Sequence, residues 1–245
     1  MPTSEDGVLA LLYAAGRRPS LNDVRGAGET SGAFTLTFDP GEDGDWVWAE
    51  LLITGLTFEL GGLAPGQGEP VPLVDHRFGL VPGWSSEGMD AVVLRPGPHL
   101  AGAAAMLPVV RGCVALASSL ANQTGALAVV WIPARSAMAT NYFEAVVEEW
   151  LGGGAFPALG LTALVQGAAG IESCGLAFFT GQEIEVVADF AGDPACAGRI
   201  AVRMVDLLVG QDPLVAPGLL TGPAGELLQA EPVGEGDRIR VRLRD

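Results

Sequence analysis

The segment that most restricts the fold is Ala126–Ile132, a short run with no polar side chain. Side chains alternate between the two sides of a strand, so a run apolar at every position marks a strand buried on both faces. Just downstream the period changes. Phe143, Val146, Val147, Trp150 and Leu151 form one apolar stripe, with Glu148 and Glu149 outside it, which predicts an amphipathic helix from Asn141 to Leu151. Asn141 with Glu144 three residues later reads as a capping box, and the glycines at 152–154 end the helix. Buried strands and amphipathic helices in one chain predict an α+β fold: a mixed, largely antiparallel sheet with helices packed mainly on one side, plus an N-terminal β-rich portion.

The rest of the chain divides into three stretches. Residues 1–60 read as the β-rich portion, with strands at Val8–Ala15, Phe34–Phe38, Trp46–Leu52 and Leu56–Leu60; residues 16–32 and 41–45 are turn-rich. Residues 61–89 hold four prolines and the cluster Pro82–Ser86, and read as a loop-rich connection. Residues 90–245 read as the α+β portion. It opens with a strand at Ala91–Leu94 and a helix over Leu100–Ala121 kinked at Pro108. Strands at Leu159–Gln166, Gly175–Phe179 and Glu183–Phe190 follow the second helix. Asp193-Pro194 then starts a helix with Ala197, Ile200, Met204, Leu207 and Leu208 on one face, and strands at Glu226–Ala230 and Arg238–Arg244 close the series.

Composition removes several function classes. The 245 residues are 49% hydrophobic and 17% charged, a balance that favours compact folding over disorder. A net charge of -16 repels phosphate backbones and anionic lipid, so neither nucleic acid nor a membrane surface is an expected partner. All 13 basic residues other than histidine are arginine, which excludes Schiff-base and P-loop lysine chemistry. Cys113, Cys174 and Cys196 are sparse and form no C-x-x-C pair, as expected of reduced thiols acting as small hydrophobes. Leu100–Ala121 is interrupted by Pro108 and Arg111 and does not read as a membrane span, and Val8–Ala15 lacks the basic flank of a signal peptide. These readings place the protein in the cytoplasm.

Candidate chemistry is thin. His76 and His99 stand on separate segments, so no metal site and no cofactor is expected. Ser85 or Ser86 with His76 or His99 would be the parts of a hydrolase, but Gly83–Gly88 lacks the G-x-S-x-G spacing and reads as a polar turn. The glycines at 26 and 28 and between 61 and 68 match no phosphate-binding motif. On the strand after Gly181, Glu183, Glu185 and Asp189 fall on one face. Such carboxylates can hold a cation or move protons, and they can equally be a solvated face beside arginines. The C-terminal segment supplies those arginines: Arg238, Arg240, Arg242 and Arg244 alternate with Ile239, Val241 and Leu243, which predicts a strand with a buried apolar side and an arginine side near carboxylates.

The text Gly175-Leu176 with Phe178 and Phe179, followed by Gly181-Gln182-Glu183-Ile184-Glu185-Val186, resembles the hallmark of an uncharacterised bacterial family catalogued as domain of unknown function 4261. Ala126–Trp131, Asn141-Tyr142-Phe143-Glu144 and Leu159-Gly160-Leu161 are similar in layout, and the resemblance spans residues 90 to 210. The chain departs from the pattern at Val92–Leu94, where the family has a histidine and polar residues; here His99 comes later. The resemblance implies an α+β domain and brings no activity and no catalytic residues. Three functions stay open: a non-enzymatic binding or interaction protein of regulatory or immunity-like type, whose partner is another protein or a second copy; the serine hydrolase; and a purely structural oligomer.

Overall fold

A computed structural model of the protein describes residues 7–39, 47–167, 169–187 and 194–244. The chain forms two compact units, Met1–Gly154 and Ala155–Asp245, so the division falls after the helix at 140–151 and the segment 61–89 lies inside the first unit. Both units are α+β, and each has its own mixed sheet.

In chain order the first unit contains β1 (Leu9–Ala14), α1 (Leu21–Ser31), β2 (Thr35–Phe38), β3 (Trp48–Ile53), β4 (Leu56–Gly61), β5 (His76–Phe78), β6 (Met89–Pro96), a 3-10 segment Pro98–Ala103, α2 (Leu107–Thr124), β7 (Ala128–Trp131), β8 (Ser136–Ala139) and α3 (Thr140–Leu151). The strands make an eight-stranded sheet in the order β2-β3-β4-β6-β1-β7-β8-β5, antiparallel except for the parallel pair β5–β8. Ala10 pairs with Val93 and Val130, and Leu12 with Ala91 and Ala128, which puts these small residues on one face. Leu9, Leu11, Val92, Leu94 and Val129 therefore point to the other face, where α2 crosses β1, β4, β6 and β7. Gly112 allows that approach: a Cβ there would lie 3.3 Å from the Phe58 ring and 3.2 Å from Leu56. Helices α1 and α3 pack against α2.

The alanine-rich face is covered by the segment read as a connection. Val71, Val74, Leu80 and Trp84 pack on Ala10, Leu12, Ala91, Val93, Ala128, Val130 and Ala137. Alanines on the strands let an extended chain lie close without a helix's bulk. The start of this strap is pinned by side chains. Arg18 donates to the carbonyls of Gly62 at 2.6 Å and Gly66 at 2.9 Å, and Ala64 N–H donates to the carbonyl of Pro19 at 2.9 Å. Arg95 follows Ala91 and Val93 on the same side of β6, and its Nη2 lies 2.6 Å from Glu69 Oε1 of the strap, both side chains almost wholly buried.

Several local expectations change in this unit. Residues 21–31 are helix, not turn: Ser20 Oγ accepts from Asp23 N–H while the Asp23 carboxylate accepts from Ser20 N–H, a complete capping box. Pro108 sits in the first turn of α2, where its missing N–H costs nothing, so it starts the helix and does not kink it. The expected box at Asn141 is absent. The N-cap of α3 is Ala139, Thr140 donates to the carbonyl of Ala126 at 2.8 Å, and Glu144 accepts from Asn122 at 2.6 Å. Phe143, Val147 and Trp150 are buried as the stripe predicts; Arg111 of α2 lies over the Trp150 ring at 4.8 Å.

The second unit contains the single turn α4 (Ala158–Leu161), β9 (Ala163–Gln166), β10 (Gly170–Cys174), the single turn α5 (Ala177–Thr180), β11 (Glu183–Val187), α6 (Pro194–Leu208), β12 (Gly218–Thr221), β13 (Leu227–Val233) and β14 (Arg238–Leu243). Its sheet runs β12-β13-β14-β11-β10-β9, with β11–β14 the parallel pair. Ile184, Val186, Ile239, Val241 and Ala230 share one buried face by register, and α6 lies across β9, β10 and β11 with Ile200, Ala201, Met204 and Val205 buried. Each of the isoleucine, valine and methionine side chains among them contributes about 1.5–3 kcal/mol on burial. Ile239 and Val241 are buried as expected, while Leu243 is half-buried. Residues 175–179, expected as strand, turn into α5 instead. Among the described residues no helix is long and apolar enough to cross a membrane.

Candidate functional site

The segment that carries the family resemblance is a bonding frame. Gly175 has φ +89° and Gly181 φ +77°, the left-handed region that a side chain disfavours, and these two bends bracket α5. Between them the backbone N–H groups of Gly175, Leu176 and Ala177 converge on Glu183, donating at 2.8, 3.2 and 3.1 Å, and the Ser173 hydroxyl donates to the same carboxylate. Gln182 is buried and ties three segments. Its Nε2 donates to the carbonyls of Leu214 at 3.0 Å and Gly236 at 2.6 Å, and its Oε1 accepts from Leu214 N–H at 2.7 Å. Each polar atom of this motif is thus spent on holding α5, β11 and the loops around them in place.

The expected acidic face resolves in the same direction. Glu185 is buried, 6% exposed, and accepts from Arg240 Nε at 2.9 Å. Glu183 turns into the amide cluster, and Asp189 lies outside the described residues. The C-terminal arginines find carboxylates across the sheet: Arg238 with Glu172 at 3.1 Å, Arg240 with Glu185, and Arg242 with Glu231 at 3.2 Å. Sequence spacing gave Glu185 as a partner; Glu231 comes from β13, next to β14, and Glu172 from β10, on the far side of β11, and spacing alone aligns neither.

The serine and histidine candidates do not meet. His76 sits in β5 beside Ser136 in register, and His99 lies 3.4 Å from the Thr57 hydroxyl. Ser85 Oγ accepts from Glu87 N–H at 3.1 Å, and among the described residues no bond joins Ser85 or Ser86 to either histidine. Among the described residues no group of three or more metal-ligating side chains exists. None of the three cysteines is in a disulfide among the described residues; burial pushes Cys113 up to about 12, away from nucleophile behaviour.

What the first unit does present is a polar cleft of about 520 Å³ where β1 ends. The chain leaves β1 through a turn closed by Arg17 N–H donating to the carbonyl of Ala14 at 2.9 Å, passes Arg18 and Pro19, and enters α1 at Ser20. One wall is this loop with Asn22, Asp23 and Gly26 of α1; the other is Gln123 and Thr124 at the end of α2. The walls are held rigidly from behind. Arg18 is fixed by its carbonyls and by Asp90 at 3.3 Å. Thr124 donates to the carbonyl of Leu120 at 2.6 Å and accepts from the Tyr13 hydroxyl at 2.7 Å, whose proton burial retains by raising its pKa. Hydrogen bonds from Ser20 N–H and hydroxyl hold the Asp23 carboxyl below its ordinary range. Arg17 is exposed into the cleft and its guanidinium has no partner among the described residues.

Gly26 adds a second observation. Glycine inside a helix costs about 0.5–1 kcal/mol relative to alanine. Gly28, two residues further along the helix, has a packing reason, since a Cβ there would lie 2.9 Å from the Phe34 carbonyl oxygen. Gly26 has none: an added Cβ meets no atom within 4 Å. Its bare backbone widens the cleft and serves no contact in the protein.

No protein-family model, curated protein or solved structure matches this chain. The cleft was missed in the sequence because the two glycines mask the apolar period of α1, and because Gln123 and Thr124 reach it from a distant helix. The signal that was readable is the capping box Ser20–Asp23 directly after two consecutive arginines.

Proposed function

We propose that the protein is a non-enzymatic binding protein of the cytoplasm, that its ligand occupies the cleft at the end of β1, and that it belongs to the uncharacterised family 4261. The observation that carries the binding reading is Arg17, a guanidinium without a partner among the described residues, at a polar cavity of about 520 Å³ with walls fixed by Arg18, Tyr13 and the Ser20–Asp23 box. The family reading is supported by the hallmark residues Gly175, Gly181, Gln182 and Glu183, each of which has a defined backbone or bonding task. A hallmark devoted to architecture fits a family whose members share a frame and differ in what they bind. The three free thiols agree with a reducing compartment.

The test is capture of small molecules. Purified protein is incubated with a mixed metabolite pool, separated by gel filtration and analysed by mass spectrometry. The expected result is a compound recovered chemically unchanged at a fixed ratio to wild-type protein and lost with Arg17→Ala. Conversion of the compound to a product would replace binding with catalysis.

A further inference from the structure

We propose that the cleft takes a small hydrophilic organic anion, a phosphate or carboxylate on a hydroxylated body, with Arg17 as the contact for the charged group and Gly26 as the open floor under the body. The proposal rests on the reading of the cleft as a binding site.

Charge is the first argument. In a chain of net charge -16, carboxylates are abundant and at least eight arginines of the described residues hold one in an ion pair. Arg17 does not, although Arg18 beside it does. Guanidinium donors form a planar fork that matches carboxylate and phosphate oxygens, so a free one in a concave site selects those groups. The surrounding acidity opposes anion binding in general, so an anionic ligand depends on its contact with Arg17.

The lining sets the body. The residues around the cleft include no aromatic side chain, which removes a stacked ring as the recognised group. They offer Asn22, Thr30 and Gln123 as mixed donors and acceptors, and Asp23, of which one oxygen, Oδ2, receives both bonds from Ser20. The other Asp23 oxygen is an acceptor suited to a hydroxyl and repels a second anionic group. A polyhydroxylated chain or sugar with its charge at the Arg17 end satisfies both walls. Gly26 fits this picture because the space above it is open, with no protein atom within 4 Å of an added Cβ.

The experiment is calorimetric and NMR titration of the full-length protein with glucose 6-phosphate, citrate, inorganic phosphate and, as the neutral control, glucose. Binding of glucose 6-phosphate or citrate in the millimolar range or tighter, with glucose silent, supports the proposal, and the arm that binds more tightly tells phosphate from carboxylate. Arg17→Ala should weaken that binding roughly tenfold or more, the scale of one charge-assisted contact, and Arg77→Ala should leave it unchanged. Gly26→Ala should raise the thermal midpoint, and Gly26→Leu should abolish binding while the protein remains folded. Glucose binding as well as its phosphate, unaffected by Arg17→Ala, would overturn the anion class and leave the cleft as a site. Binding of any probe unaffected by Gly26→Leu would overturn the cleft itself. Failure of all the anions to bind at millimolar concentration would overturn the class.

Discussion

The two units solve the same problem, an apolar sheet in water, in opposite ways. The first buries both faces of β1, β6 and β7, one under α2 and the other under the strap 70–84, and takes one ion pair, Glu69–Arg95, into the interior with it. The second covers one face with α6 and dresses the other with three cross-strand arginine–carboxylate pairs whose arginines are 41–47% exposed. A buried pair stands in a low-dielectric surrounding where neither partner can be hydrated alone; in the ladder the arginines are screened and fall back on water, and of the carboxylates Glu185 alone is buried. The same residue types therefore fix a fold in one unit and decorate it in the other.

The largest effect should come from breaking the buried pair. Arg95→Ala leaves Glu69 charged and unpartnered and should cost about 3–5 kcal/mol. Replacing both partners by Glu69→Leu with Arg95→Met should recover most of the loss. All five tryptophans precede residue 155, so tryptophan fluorescence follows the denaturation of the first unit. A midpoint unmoved by Arg95→Ala would show that the pair is hydrated after all.

Glu183→Ala tests the frame of the second unit. It removes the acceptor of three backbone N–H groups and should cost about 1–3 kcal/mol. The signature is faster hydrogen exchange at Gly175, Leu176 and Ala177, with the tryptophan signal unchanged. Ser20→Ala removes the cap of α1 and should cost about 0.5–2 kcal/mol. Because the Asp23 carboxyl is held below its ordinary range in the fold, its contribution is present above the unfolded value of about 3.9 and is lost as pH falls through the lower folded value. Ser20→Ala should flatten that part of the acid limb. The smallest effect belongs to the ladder. Arg242→Ala should change stability by about 0–1 kcal/mol, and added salt should erase the difference. A loss comparable to Arg95→Ala would end the contrast between the units.

What was legible in the sequence follows the physics of local pattern. The continuous runs of β1 and β7, the stripe of α3 and the alternation of β14 are set by neighbours in sequence, and the structure has them. The α+β class followed from these. Three things were hidden because they depend on partners far along the chain. Gly26 and Gly28 interrupt the period of α1, which stands because Ser20 and Asp23 cap it and α2 packs on it. The strap looks like linker until the alanine-rich face that it covers is assembled from strands on both sides of it. Of the site, Glu183 and Gln182 were visible as unusual text, but their work on the amides of 175–177 and on Leu214 and Gly236 was not, and the cleft around Arg17 needs two helices to exist.

The order of synthesis meets an awkward geometry in β1. Its neighbours in the sheet are β6 and β7: Leu9 waits for Leu94 on one side and Trp131 on the other. A nascent chain therefore carries β1 unpaired through the manufacture of the strap until β6 emerges, and with its other edge still open through that of α2 until β7 emerges. Pairing over such separations is entropically slow and leaves sticky intermediates. The sheet of the first unit cannot close around β1 until β7 has emerged, and its dependence on chaperones should be set by how long that edge stays open.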